Sequence, residues 1–452
     1  MSLKSSPVDL RHSSRVAIGD STLGAALKSA TDLFTLKREE GLSSVPREQW
    51  RQEASRIRDY VLANLEDLVD EFSANATMAG AVVHRAKDAS EAGQTILNLL
   101  KDNKVKKIVK AKSMVSEEIH LNHLLESHNI EVVETDLGEY IVQIAGETPS
   151  HILAPAIHKN RRQVGRLFRE KLGVEYSEDP QVLTKIARQA LREDFLTAGA
   201  GFSGANFAVS SSGSLAIFTN EGNGRMCTAV PPIHIALLTI EKMLPSFKEL
   251  AFFSRLLTRF ATGQTLSSYM SMITGTRRDG DFTGAKKLHI VLLDNGRTEI
   301  VKGPFKDILK CIRCSACVNV CPVYRKIGGH AYDTTYSGPM GIVLTNLLYG
   351  LERAHTLLDA STLCGACVDV CPVKVPLVEM IGMLREKRVN SGVAPLSEGV
   401  FMTLFGLASQ NHVLFSAGQR FLRRSWPMIR NILKDLRPDR LPRVSGKTFR
   451  EY

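Results

Sequence analysis

Apolar residues at Trp50, Ala54, Ile57, Val61, Leu65, Leu68 and Phe72 recur at helical spacing and predict one long amphipathic helix. From about residue 73 to 303 the pattern changes. Short β-branched runs at 106–111 (KKIVKA) and 130–135 (IEVVET) alternate with helical stretches such as 117–128 (EEIHLNHLLESH). That alternation predicts an α/β domain with a largely parallel sheet. Residues 206–220 (NFAVSSSGSLAIFTN) read as two short strands joined through Ser and Gly, and 221–226 (EGNGRM) as the loop that follows. Residues 287–303 read as a last strand pair turning at Asn295-Gly296. Further on, Ser337-Gly338-Pro339 opens a helix whose face carries Leu344, Leu347, Leu348, Leu351 and Leu358, and 376–389 predicts another. The organisation expected is therefore an N-terminal helical segment (1–72), an α/β domain (73–303), an all-α domain (304–392) and a C-terminal tail (393–452).

The longest uncharged apolar stretch, 399–419, is interrupted by Gln410, Asn411 and His412, which argues against a membrane-spanning helix. The N-terminal residues MSLKSSPVDLRHSSR lack the apolar centre of a secretory signal. A cytoplasmic location is expected, where structural disulfides are rare and eight cysteines need another explanation. A composition 44% hydrophobic and 23% charged excludes a disordered or fibrous chain. Lys and Arg number 58 against 47 Asp and Glu, a balance of +11. Ten basic and three acidic residues lie between Gly418 and Tyr452, so +7 of that balance is a property of the tail. Such a tail, with Phe421, Trp426 and Phe449 among its charges, suits peripheral docking on anionic lipid or on an acidic partner. Nucleic acid is disfavoured because no recognisable binding fold accompanies the charge.

Cys227 stands apart, and the other seven cysteines fall between 311 and 371. Cys311, Cys314, Cys317 and Cys321-Pro322 form the C-x2-C-x2-C-x3-C-P run of two-cluster ferredoxins. Ser361, Cys364, Cys367 and Cys371-Pro372 repeat the frame with Ser361 in place of the first Cys. In that motif three closely spaced thiolates clasp one cluster and the fourth reaches across to the other. Cys311, Cys314, Cys317 and Cys371 are then expected on the first [4Fe–4S] cluster, and Cys321, Cys364 and Cys367 on the second. With three thiolates the second is expected as [4Fe–4S] with an oxygen or other ligand on its fourth iron, Ser361 before Asp369, and [3Fe–4S] is the alternative. Zinc knuckles are the rival, but zinc sites usually close with four ligands, often including His, and lack the Cys-Pro endings.

Elsewhere the chemistry is thinner. No Walker A motif and no G-x-G-x-x-G at a strand-to-helix junction is present. The glycines of Asn220–Arg225 permit close backbone approach, and Glu221 with Arg225 offers charges to a small anion. The plainer reading there is a turn with a surface ion pair. His234 reads as a packed core histidine, Cys227 as a buried small hydrophobe, and Arg161, Arg162, Arg166 and Arg169 as the solvated face of a helix.

On these segments the chain resembles the lactate utilization protein B family. The resemblance rests on 201–209 (GFSGANFAV), 219–226 (TNEGNGRM), 231–237 (PPIHIAL), 273–297, both cysteine runs and the closing GKTFREY. It implies a LUD domain of NagB/RpiA/CoA-transferase-like α/β fold, joined to a helical ferredoxin domain with two [4Fe–4S] clusters. It further implies an iron–sulfur electron-transfer subunit working with two sister subunits to oxidise L-lactate to pyruvate, with the electron acceptor left open. A relay for another 2-hydroxy acid such as glycolate, or a redox- or metabolite-sensing protein, are the alternatives. Two positions depart from the family pattern: Ser211-Ser212-Gly213, where an acidic residue precedes the Gly, and Ser315, where Gly is usual.

Overall fold

The computed structural model describes residues 7–393 and 396–432. Its strands are β1 (Val82–Ala86), β2 (Lys107–Lys110), β3 (Glu131–Glu134), β4 (Ala200–Ser203), β5 (Phe207–Val209), β6 (Ser214–Thr219), β7 (Ile233–Thr239), β8 (Met243–Leu244), β9 (Tyr269–Ile273) and β10 (Lys287–Leu293). Six of them make one sheet in the order β1-β10-β7-β4-β2-β3, parallel at every pairing. A parallel sheet is covered on both faces, so its central strands are largely apolar rather than alternating. In β10, Leu288, Ile290 and Leu292 enter one core while Val291 and Leu293 enter another, and β7 divides in the same way. The core holding Leu288, Ile290 and Leu292 is continuous with the later helical segment and takes in Cys314 and Cys321.

The second sheet, β8-β5-β6-β9, is built on the predicted β5–β6 hairpin. Ser210–Ser212 form a 3-10 turn that ends at Gly213, with φ +65°. A Cβ on Gly213 would lie 2.2 Å from the Ala76 amide nitrogen, so only glycine fits there. The turn packs against a helix backbone, and the Ser210 carbonyl accepts from Asn75 Nδ2 at 2.8 Å.

Several local expectations are corrected. The Trp50–Phe72 helix is two, Arg47–Ala63 and Leu65–Met78, broken where Asn64 leaves helical geometry. The 117–128 helix likewise divides into Met114–Glu118 and Leu121–Glu126 around His120, with φ +51°. The 221–226 loop is shorter than expected because a helix, Asn223–Ala229, begins within it. Asn295-Gly296 makes no strand pair. β10 finds parallel partners in β1 and β7, and Gly296, at φ +85°, starts the helix Arg297–Lys302. The helix opening at Ser337 ends at Tyr349, because Gly350 at φ +83° starts a new turn; Leu358 lies in a 3-10 segment, His355–Ala360.

Beyond Leu293 the described residues hold helices and no strand. This helical module is tied to the earlier part of the chain by specific bonds. Arg51 donates to the carbonyls of Cys371 and Val368 at 2.9 and 3.0 Å. Tyr324 donates its hydroxyl to the Ser150 carbonyl at 2.8 Å, and His151 Nε2 meets Asn319 Oδ1 at 3.0 Å.

The described residues from Glu386 onward form a second compact unit. Its apolar stretch is divided by Asn411, whose side chain accepts from the amides of Val413 and Leu414 and so caps a new helix. The result is Leu396–Gln410 and His412–Ile432. No helix among the described residues is long and apolar enough to cross a membrane. Phe421 is exposed and Trp426 half-buried, whereas Phe449 and the rest of the basic tail from 433 lie outside the described residues.

Candidate iron–sulfur centres

The two cysteine runs share a backbone plan. Each begins after a 3-10 turn, Lys306–Lys310 or His355–Ala360, and ends in a short helix, Ala316–Val320 or Ala366–Asp369. Between them two left-handed residues flank Cys314 in the first run and Cys364 in the second: Arg313 and Ser315 at φ +60° and +61°, Leu363 and Gly365 at +54° and +85°. These reversals wrap the chain so that thiols two residues apart turn to one side. Glycine takes the left-handed conformation without penalty, and a residue with a Cβ at such a place costs roughly 1–2 kcal/mol. Ser315 takes that conformation at the place where the second run has Gly365.

Cys311, Cys314, Cys317 and Cys371 line one cavity, closed by Ile152, Met340 and Leu377. The Arg313 amide points at Cys311 Sγ at 3.5 Å, and the Val375 amide at Cys371 Sγ at 3.3 Å. Burial pushes the Cys371 thiol up to about 11, with Cys311 adding to the effect against the Val375 amide. Burial and the neighbouring cysteines likewise push Cys314 and Cys317 up. Four thiols crowd this cavity, Cys314 and Cys371 buried and Cys311 and Cys317 half-buried, and a polycationic core would take them together as thiolates. An all-sulfur donor set drawn from two Cys-Pro runs suits a polynuclear sulfur-ligated cluster.

The remaining three cysteines lie within electrostatic reach of one another. Cys321 is pushed up by burial and by Cys364, and Cys367 up to about 12 by burial, Cys321 and Cys364. Cys364 is exposed, and its thiol is lowered by the Ala366 amide and the Thr362 side chain. Ser361 Oγ accepts from the Leu363 amide at 3.2 Å, and the Ser361 carbonyl accepts from Arg385 at 2.7 Å. Asp369 is exposed and close enough to act on Cys364.

A model of the 4Fe-4S dicluster domain matches residues 307–375, which contain all seven of these cysteines. A LUD domain model matches 69–293, which contain all ten strands. Lactate utilization protein B of Lysinibacillus sphaericus (strain C3-41) is 45% identical over 394 residues, 86% of this chain and 83% of that protein. The chain belongs to the lactate utilization protein B family. Lactate utilization protein B of Geobacillus sp. (strain WCH70) is 46% identical over 375 residues, covering 82% of this chain and 79% of that one. A solved structure, a DUF162 family protein from Deinococcus radiodurans, aligns with 52% of this chain and 98% of its own at 13% identity and a TM-score of 0.27.

The other residues singled out in the sequence stand away from these thiols' roles. Cys227 is buried beside Thr135 Oγ1 at 3.3 Å, and burial pushes its thiol up to about 12. His234 is a core histidine on β7, bonded to Ser203 Oγ at 2.8 Å and pushed down to about 4 by burial. Glu221 pairs with no Arg225 here; it accepts from the Leu137 amide at 3.2 Å, and burial with Asp136 raises its carboxyl to about 7. Arg161, Arg162, Arg166 and Arg169 are exposed on the helix Arg161–Leu172.

Sequence reasoning missed a buried ionic group beside the first cavity. Arg297 donates to both Glu118 oxygens at 3.0 and 2.8 Å, and its Nε lies 2.9 Å from Glu241 Oε2. Tyr336 completes Glu118 with a bond of 2.7 Å. Glu241 also faces Arg313, 3.5 Å away. Burial alone would raise the Glu241 carboxyl, but Arg297 and Arg313 overcome it and hold it at about 2. The available signal was Arg313 itself, a cation inside a C-x2-C pair.

Proposed function

We propose that this chain is the iron–sulfur electron-transfer subunit of an assembly that oxidises L-lactate to pyruvate. The observation that carries the reading is the single cavity lined by Cys311, Cys314, Cys317 and Cys371, three from one run and one from the far end of the other. In this reading those four hold a [4Fe–4S] cluster, and Cys321, Cys364 and Cys367 hold a second with three thiolates. A [3Fe–4S] centre is the other form three thiolates admit. Such clusters, when bound, accept and release single electrons, which lets a two-electron oxidation be passed on in two steps.

The chain's own residues support that task. The amides of Arg313 and Val375 donate toward cysteine sulfur, which favours the electron-rich state of a sulfur ligand. Ile152, Met340 and Leu377 keep water from the first cavity, while exposed Cys364 gives the second group an edge at the surface for exchange with a partner. The relatives' name speaks of lactate utilization, which supplies the substrate and implies sister subunits. The all-parallel six-stranded sheet supports a sugar-isomerase- and CoA-transferase-like fold for the LUD domain.

The test is purification from cells with the associated subunits, followed by anaerobic addition of L-lactate. Loss of the visible cluster absorbance on lactate, restored by re-oxidation, is expected. Clusters that dithionite reduces and lactate leaves oxidised overturn the assignment, and reduction by glycolate alone would transfer it to another 2-hydroxy acid.

A further inference from the structure

The two cysteine runs share a backbone but differ in charge. The residue at the matching place is Arg313 before Cys314 in the first run and Leu363 before Cys364 in the second, both left-handed. Leu363 is exposed, whereas the Arg313 side chain is only 12% exposed and lines the four-thiol cavity. Its guanidinium lies over the Tyr336 ring, 5.1 Å from the centroid, with Nη1 3.6 Å from Met340 Sδ. Tyr336 and Met340 hold it from the side away from solvent.

The neutralisation of this cation is incomplete. Its ion-pair partner is Glu241, at 3.5 Å, and Glu241 is shared with Arg297 at the shorter distance of 2.9 Å. Arg58, fully buried, reaches the carbonyls of Glu241, Met243 and Leu309 and lies close enough to Cys311 for the two to interact. Two guanidinium groups therefore stand on the Cys311 side of the cavity, and the carboxylate nearest them is already engaged. In a low-dielectric interior such a charge acts strongly on whatever the cavity holds.

Adding an electron to a cluster makes it more negative, and a nearby fixed cation stabilises that state more than the oxidised one. The second run has no cation at the matching place, where Leu363 stands instead. From this juxtaposition we infer that Arg313, held in place by Glu241, Tyr336 and Met340, raises the reduction potential of the first cluster. The inference rests on the proposed cluster assignment. It adds the residue that sets the first cluster's potential.

The test is a mediated redox titration of the reconstituted full chain, followed by EPR, without lactate. The first cluster's signal is identified as the one lost in Cys317→Ser. Arg313→Gln is expected to lower the first potential and leave the second in place, and Arg313→Lys to restore most of the shift. Leu363→Arg is expected to raise the second potential alone. If Arg313→Gln fails to keep its first cluster, Leu363→Arg decides. An unmoved first potential in a loaded Arg313→Gln protein, equal movement of both, or an unmoved second potential in Leu363→Arg overturns the inference. A chain that binds no iron on reconstitution overturns the underlying cluster assignment instead, so the two failures are distinct.

Discussion

Replacing Arg297 with Met should be among the most damaging single changes in the molecule, although Arg297 touches no cysteine. Arg297 and Glu118 are fully buried and Glu241 is 2% exposed. Breaking a buried ion pair by removing one partner costs about 3–5 kcal/mol, because the other charge stays behind without compensation. Here two carboxylates lose their cation. Tyr336 and Asn295 still donate to Glu118, and Arg313 still faces Glu241, which keeps the loss near about 4 kcal/mol. A second route gives a similar figure. Glu241 held at about 2, against an ordinary 4.5, corresponds to about 3 kcal/mol of stabilisation at neutral pH. Because that carboxyl is depressed, its contribution is present above pH 4.5 and is lost as pH falls toward 2. Urea unfolding followed by Trp50 fluorescence measures the effect. With a slope of about 3 kcal/mol per molar, the midpoint should fall by about 1.3 M. Lys302→Met, which breaks an exposed pair with Glu299 at 2.9 Å, is the control and should leave the midpoint in place. An Arg297→Met midpoint equal to the control's, at unchanged slope, would refute the reasoning.

Other outcomes follow from the same geometry. Cys317→Ser should lower the iron content from about eight to about four per chain and remove one EPR signal while sparing the other; loss of both signals would mean the groups do not load separately. Burial pushes His151 down to about 3 and His234 to about 4, so the unfolded chain binds protons that the folded one refuses below about pH 6.5. Their contribution is therefore full above pH 6.5 and falls with acidity, by about 4 kcal/mol in total between pH 7 and 5, and urea midpoints that stay flat over that range would count against it. Gly201→Ala would set a Cβ 1.7 Å from the Cys227 carbonyl oxygen, forcing β4 and the helix Asn223–Ala229 apart at a cost of about 3 kcal/mol or more. A thermal midpoint within a degree or two of the native protein's would show that the contact relaxes freely.

What the sequence revealed and what it concealed follow from the range of the forces involved. The cysteine runs were legible because a cluster demands donors at fixed local spacing. The parallel sheet was legible because short β-branched runs, as at 106–111 and 130–135, alternate with helical stretches, the order that crossover connections between parallel strands produce. The break at His120 was hidden, since no glycine or proline marks it. Asn295-Gly296 misled for a different reason. The dipeptide favours a reversal, but β10 already has a neighbour on each side and no place for a third strand, so the glycine serves a helix start instead. The ionic group was concealed most completely. Glu118, Glu241 and Arg297 are far apart in the chain, and each alone belongs to a residue type that is usually exposed.

Cys371 on the wall of the first cavity bears on how the protein is made. Cys317, the last of the other three thiols there, precedes it by 371 − 317 = 54 residues. At translation rates of about 5–20 residues per second, three of that cavity's four sulfur donors are made roughly 3–11 s before the last. During that interval the first run is an incomplete chelator, open to oxidation or to a wrong metal. Faithful loading then depends on a delivery step that waits for the end of the second run, and slowing the ribosome between the two runs would lengthen the vulnerable period without changing a single residue.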